Sequence, residues 1–150
     1  MLITNHVLSG AVIGAVARRP AAAFTLGVAS HFVLDAIPHW GDWGDDKSVF
    51  MRVAVRDGLA GLAVMGAFTA VAEPSARLAV LAGMAGAALP DLDKPSKIFF
   101  GFSPFPAVID QFHSDIQRES RQRFPVEVVA GACFLATLAV LRLRSRRGIR

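Results

Sequence analysis

Apolar residues in this chain gather into five blocks separated by short polar stretches. The blocks cover residues 3–17, 21–37, 53–72, 76–89 and 126–143. Proline stands at several block boundaries, where it ends one helix or opens the next. The block at 53–72 is about 20 residues long, the length needed to cross a hydrocarbon core. The pattern predicts about five hydrophobic helices.

The glycines inside these blocks indicate where the helices are packed. Three pairs recur at helix-contact spacing: Gly10 with Gly14, Gly58 with Gly61, and Gly83 with Gly86. Glycine inside a helix in water costs about 1 kcal/mol relative to alanine. In lipid, small residues instead allow two helix backbones to approach closely. These pairs favour a membrane-embedded bundle.

The stretches between the blocks have the composition of membrane-interface segments. Residues 39–47 form a polar loop that carries Trp40, Trp43 and three aspartates, Asp42, Asp45 and Asp46. Phe99, Phe100, Phe102 and Phe105, interrupted by glycine and proline, predict a loop in the interface. Residues 108–123 predict an amphipathic helix. We therefore expect one all-α domain over 1–150, a polytopic membrane bundle of about five hydrophobic helices and one amphipathic interfacial helix.

Composition and charge narrow the class of protein further. The chain is 53% hydrophobic and 19% charged, and its one cysteine, Cys133, excludes a disulfide framework within the chain and a cysteine-rich zinc site. The net charge is +4, and arginines dominate the basic tail at 143–150. Arginines directly after an apolar block are typical of a cytoplasmic end. We expect a lipid bilayer as partner, no nucleic acid, and a cytoplasmic C-terminal tail.

The rare ionisable residues of the apolar blocks fall at one end of the predicted bundle. In a bundle of alternating helices, eight positions share that end: His6, His31, Asp35, His39, Asp57, Asp91, Asp93 and His113. His31, Asp35 and His39 are spaced four residues apart, so they stay within about 80° on one helix face. Imidazole and carboxylate ligands without thiolates suit zinc, with manganese or iron as alternatives.

Each of these residues also has a plain structural interpretation. His31 and Asp35 can form a buried polar pair that only joins helices, although an aspartate in a membrane segment is functional by default. Asp91 and Asp93 suit a turn as well as a metal. Asp57 suits a helix start as well as a ligand or a group that orients one. His113 lies at the border of an apolar helix face, where it either packs or leans over the site.

Three short motifs resemble those of a bacterial inner-membrane family described as membrane-bound and metal-dependent hydrolase-like. They are His6 with Ser9 and Gly10, the stretch from Ser30 to Asp35, and the stretch from Leu89 to Pro95. This chain lacks the His-Arg-Gly-x-Thr-His stretch of that family, and its two main motifs come in the opposite order. The resemblance implies a metal site at His6, His31, Asp35, Asp91 and Asp93, and a bacterial inner-membrane location.

These observations lead to one expected function and two alternatives. We expect a membrane-bound hydrolase with one or two divalent metals at the outer interface, held by His6, His31, Asp35, His39, Asp91, Asp93 and His113. Asp93 or Asp57 would accept the proton from a metal-activated water, and the substrate would be a lipid or lipid-linked. The alternatives are a non-enzymatic membrane protein with a structural metal or an ion- or proton-handling cluster, and a small subunit of a membrane complex.

Overall fold

The computed structural model describes residues 1–41 and 47–148, and within them the protein is all-helical, as predicted. The helices are α1 (Ile3–Ala17), α2 (Pro20–Ala36), α3 (Lys47–Val71), α4 (Arg77–Ala88), α5 (Asp93–Phe100), α6 (Ala107–Ile116) and α7 (Phe124–Gly148). Short 3-10 helices cover Leu89–Leu92 and Arg121–Arg123. Strands β1 (His39–Trp40) and β2 (Glu119–Ser120) form one parallel pair. The predicted loop residues Asp42, Trp43, Asp45 and Asp46 and the final Arg150 lie outside the described residues.

Helix α4 packs against both α1 and α2, which gives the fold its centre. The close approach depends on glycine. A Cβ atom at Gly10 on α1 or at Gly27 on α2 would overlap the backbone of Gly83, and one at Gly86 would overlap Phe24. By contrast, Gly58 on α3 has no atom within 4 Å of such a Cβ. The α1 and α4 pairs therefore lie at close helix contacts, whereas on α3 only Gly61 faces α1, at an ordinary 3.4 Å from Ile3.

Two helices of the described chain are long and apolar enough to span a membrane. The candidate spans are Ser48–Val71 and Arg121–Ser145, and 6% and 11% of their apolar windows are buried. Helices α1, α2 and α4 have 15, 17 and 12 residues. At 1.5 Å per residue these are shorter than a hydrocarbon core of about 30 Å. The expected five-span bundle is not confirmed.

Several element boundaries differ from those expected. The amphipathic helix predicted at 108–123 ends at Ile116, because the following residues leave helical geometry and Glu119–Ser120 pairs with β1. Phe99 and Phe100 belong to α5 rather than to a loop, which begins at Gly101, where φ is 79°. Helix α7 continues through the arginines to Gly148. Most of the predicted basic tail is thus helical.

Many large apolar side chains are exposed, while several ionisable side chains are buried beside the apolar core. Large apolar side chains are exposed on the outside, with Leu62 at 66% and Phe100 at 74%. On α6, Val108 faces outward whereas His113 on the same helix is buried. The fully buried side chains include His6, His31, Asp35 and His39. A large exposed apolar surface marks contact with protein or lipid.

Candidate metal centre

Three elements bring a buried cluster of histidine and aspartate together at one end of the fold. His31 and Asp35 lie one turn apart on α2, so their side chains share a face. His113 comes from α6, and Asp91 from the 3-10 helix that follows α4. One potential ligand atom from each of these four residues lies within 4.8 Å of all the others. This group can hold a metal ion.

Three of those ligand atoms form a nearly equilateral triangle. His31 Nε2 is 3.1 Å from Asp35 Oδ2, His113 Nε2 is 3.0 Å from the same oxygen, and the two nitrogens are 3.0 Å apart. Asp91 Oδ1 stands farther out, 3.9 Å from His31 Nε2 and 3.8 Å from His113 Nε2. The four atoms thus surround a common point with two nitrogens and two oxygens.

The end of α4 fixes the orientation of His31. The last carbonyls of a helix have no partner within it, and the carbonyl of Ala87 lies 2.8 Å from His31 Nδ1. A carbonyl only accepts hydrogen bonds, so Nδ1 carries the hydrogen and donates it. In the neutral ring, Nε2 then presents a lone pair to Asp35 and His113.

His6 forms a second layer beside this triangle. Its ring stacks on that of His31 with centroids 4.0 Å apart, and its Nε2 lies 3.0 Å from Asp35 Oδ1. The amino group of Met1 lies 2.7 Å from the same oxygen. His6 Nδ1 is buried with no hydrogen-bond partner among the described residues. The two oxygens of Asp35 therefore face two different groups.

Asp91 is the least buried of the four, with 13% of its side chain exposed, and Lys94 covers it. Lys94 Nζ donates to Asp91 Oδ1 at 2.6 Å. Burial alone would raise the pKa of Asp91, but Lys94 and the nearby histidines outweigh it and lower the pKa to about 2. Burial likewise opposes the charge of Lys94, yet Asp91 raises the Lys94 pKa well above its usual value. Both groups are ionised at neutral pH.

Asp93, predicted as ligand and base, belongs to a separate ion-pair network. Its Oδ2 accepts from Lys97 Nζ at 3.0 Å, and Lys97 also lies 2.9 Å from Asp110 Oδ2. The hydrogen bond to Asp110 raises the pKa of Lys97, and the same bond lowers the pKa of Asp110. Asp93 Oδ1 is buried with no hydrogen-bond partner in the described chain. Asp93 is outside the four-residue group.

Asp57, the other predicted base, lies on α3 and contacts the start of α1. Its carboxylate accepts from the backbone N–H of Ile3 at 2.6 Å, from that of Thr4 at 3.3 Å and from the Thr4 hydroxyl. The first N–H groups of a helix have no partner within it, and α1 has no capping side chain of its own. Asp57 therefore caps the start of α1 from its position on α3. The sequence analysis offered a helix-start role for Asp57, but on its own helix.

His39, predicted as a ligand on the α2 face, stands apart from the centre. Helix α2 ends at Ala36, so Pro38 and the extended backbone after it carry His39 onto β1. His39 Nδ1 donates to the carbonyl of Ile37 at 2.8 Å, and Nε2 lies 3.7 Å from Glu119 Oε1. The helical spacing on which the ligand prediction rested does not continue to this residue.

Glu127 is a buried polar residue that the sequence analysis did not single out. It accepts from the backbone N–H of Leu2 at 3.1 Å, from the Asn5 side chain at 2.7 Å and from the backbone N–H of Trp40 at 3.2 Å. The sequence does contain a signal for Glu127, because a carboxylate in an apolar helix such as α7 requires a partner. Lys94 was missed because charge alone does not place its amino group beside Asp91.

Comparison with protein families, with curated proteins and with solved structures finds no match for this chain. The chemistry of the site therefore has to be argued from its geometry.

Proposed function

We propose that the protein is a metal-dependent hydrolase embedded in a membrane, with one divalent metal bound by His31, Asp35, Asp91 and His113. The triangle formed by His31 Nε2, His113 Nε2 and Asp35 Oδ2 carries this proposal. With a neutral His31 ring and no metal, the lone pair of Nε2 faces a carboxylate oxygen of Asp35. Both atoms can only accept hydrogen bonds, so they cannot bond to each other. A cation at the common point removes that conflict.

The spacing of the ligand atoms also supports a metal. Nitrogen and oxygen ligands bind zinc at about 2.0–2.2 Å, which places neighbouring ligands of a tetrahedral site about 3.3 Å apart. The triangle is slightly smaller than that, at 3.0–3.1 Å, and Asp91 is slightly farther, at 3.8–3.9 Å. A small shift of Asp91 inward would complete four-coordination. Zinc fits this donor set best, with manganese and iron as alternatives.

The membrane location rests on the exposed apolar surface and the two long helices. Helices α3 and α7 present apolar side chains outward along most of their length. Arg18 and Arg77 lie at the end opposite the cluster, near Glu73 and the carbonyl of Ala70. The end of α7, rich in arginine, extends the same way. Because the arginines at the end of α7 directly follow an apolar block, we assign that end to the cytoplasm and the metal centre to the outer face of a bacterial inner membrane.

Hydrolysis is supported by the position of Asp91 at the least buried edge of the group. A metal held there would lower the pKa of a bound water towards neutrality. Asp35 and the two histidines orient the centre from the buried side, and Asp91 marks the side open to a substrate. Phe112 and Leu92 on the neighbouring elements are half exposed and apolar, which suits a lipid or lipid-linked substrate.

Burial of the ligands favours one alternative, a non-enzymatic protein whose cluster is structural or handles protons. His31 and Asp35 have no exposed surface, and structural metal sites are closed. In a metal-free version His31 and Asp35 only form a buried polar contact between helix positions, at 3.1 Å. Metal content separates these two possibilities.

The decisive experiment is elemental analysis of the full chain purified in detergent without chelator. We expect about one equivalent of metal in the wild type and its loss in His31→Ala and Asp35→Ala. His39→Ala is the matched control, because it also removes a fully buried histidine but one outside the group, and it should keep the metal. A metal-free wild type, or full metal in both ligand variants, would refute the proposal.

Catalysis needs its own assay. The metal-containing protein is offered lipid esters, phosphoesters and amides, with Asp35→Asn as the inactive control. Turnover of one class that Asp35→Asn abolishes supports a hydrolase. A fully metallated protein with no turnover of any class assigns the metal a structural role.

A further inference from the structure

When the candidate centre holds a divalent metal, the positive charge of Lys94 is not cancelled by the ligands, and Lys94 lies on the open side. Asp35 and Asp91 contribute two negative charges, which one divalent ion neutralises when the histidines bind as neutral ligands. Lys94 then adds a positive charge against Asp91. A metal-loaded centre is therefore cationic.

The position of Lys94 distinguishes it from the other lysine of the same helix. Lys94 Nζ contacts the oxygen of Asp91 that faces the two histidine nitrogens, and 34% of its side chain is exposed. Lys94 thus lies at the partly exposed edge of the centre, with its amino group on Asp91. Lys97 is neutralised by two carboxylates, those of Asp93 and Asp110. Of these two lysines, Lys94 is the one beside the metal-ligand group, and it keeps its positive charge there once the metal takes that of Asp91.

We propose, resting on the proposed function, that the substrate is a phosphate ester and that Lys94 binds its phosphate beside the metal. A phosphate oxygen at the open side of the centre lies next to Asp91 Oδ1, within reach of the amino group that now contacts that oxygen. Lysine acts as a point charge for phosphate, and such charge-assisted contacts are roughly twice as strong as neutral ones. A neutral amide or carboxylic ester would leave this positive charge uncompensated.

The experiment measures binding of inorganic phosphate to the full chain in detergent, loaded with manganese, by isothermal titration calorimetry. Metal content is determined first for every variant. We expect Lys94→Met to retain manganese and to bind phosphate about tenfold more weakly than the wild type. Lys94→Arg keeps the positive charge and should lose less phosphate affinity. Lys97→Met is the matched control and should stay within about twofold of the wild type.

The outcomes separate this inference from the proposed function. A wild type that binds no manganese refutes the proposed function, and this inference falls with it. Manganese-loaded wild type that does not bind phosphate, or Lys94→Met that binds phosphate like the wild type, refutes this inference and leaves the metal centre standing. Equal weakening in Lys94→Met and Lys97→Met assigns the effect to general surface charge and also refutes it.

Competition then identifies the source of the phosphate. Phosphatidic acid in micelles and glycerol 3-phosphate carry the same phosphate monoester with and without acyl chains, and diacylglycerol carries the chains alone. Displacement at lower concentration by phosphatidic acid assigns a lipid phosphate, and equal displacement by both assigns a soluble phosphate ester. Displacement by diacylglycerol as effective as that by phosphatidic acid shows that the chains, not the phosphate, are bound, and overturns the inference.

Discussion

The carbonyl of Ala87 decides which nitrogen of His31 faces the other ligands. Because Nδ1 donates to that carbonyl, Nε2 is committed to Asp35 and His113. A backbone group at the end of α4 thus controls the chemistry of a side chain on α2. Metal-binding histidines are commonly oriented in this way through their second nitrogen.

Replacing Asp91 by asparagine tests the fourth ligand. With its pKa at about 2, Asp91 is ionised throughout the neutral range, so Asp91→Asn removes a charge from the centre and the partner of Lys94. We expect metal affinity to fall by about 10- to 100-fold in competition with a chelating dye. Asp115→Asn, at an exposed position of α6, is the control. Wild-type affinity in Asp91→Asn would remove Asp91 from the ligand set.

Glu127 contributes stability through the start of α1. Glu127→Ala leaves the N–H of Leu2 and the Asn5 amide without this buried acceptor. We expect a loss of about 1–3 kcal/mol in the free energy of unfolding, measured by denaturation in mixed detergent micelles. Thr137→Ala, exposed on the same helix, should change it little. Equal stabilities for the two variants would contradict the role of Glu127.

At the residue scale, the sequence predicted the participants better than their pairings. Spacing on α2 places His31 and Asp35 on one face, and that prediction depends only on helix geometry. His39 obeys the same spacing but lies beyond the helix end, where the rule no longer applies. The role of Asp57 depends on α1 and α3 being adjacent, which no local pattern in either helix reveals.

At the scale of the elements, α4 is the helix that the others are built around. It contacts α1 and α2 along glycine-lined faces and then delivers Asp91 through the 3-10 helix at its end. The glycine spacing in the sequence predicted two of these contacts. On α3 the same spacing marks only a loose contact, because Gly61 meets Ile3 at 3.4 Å whereas Gly58 has no neighbour within 4 Å.

Adding one methyl group tests this packing. Gly83→Ala places a Cβ against the backbone of Gly10, so the helices have to separate. We expect a loss of about 1–3 kcal/mol in unfolding free energy, as for other overpacked cores. Gly66→Ala on α3 meets nothing within 4 Å and should be neutral or stabilising, by up to about 1 kcal/mol. Similar behaviour of the two variants would rule out a tight α1–α4 contact.

For the whole molecule, polarity runs from an arginine-rich end to the end that holds the cluster. The sequence predicted this separation, because it needs only the order of charges along alternating helices. The five spans that it predicted are not confirmed, since two of the described helices are long and apolar enough to cross a membrane. Hydropathy counts apolar residues but does not say whether a short helix faces lipid or is enclosed by neighbours, and α4 is enclosed.

Labelling of single cysteines tests the orientation. In a chain with Cys133 replaced by alanine, cysteine is introduced at Arg19 or at Asp115, both exposed and at opposite ends of the fold. In intact cells an impermeant maleimide should label Asp115→Cys, whereas Arg19→Cys should react only after permeabilisation. Labelling of both from outside would contradict a membrane-spanning arrangement.

The capping of α1 also sets an order of assembly. Helix α1 precedes both of its capping partners in the chain, because its leading N–H groups bond to Asp57 on α3 and to Glu127 on α7. Until both helices arrive, these donors must find other partners, which are scarce inside a bilayer. His6, one turn further along α1, is held by the same anchored segment. The start of α1 is therefore fully capped only once α7 is in place, although His31, Asp35, Asp91 and His113 all precede α7 in the chain.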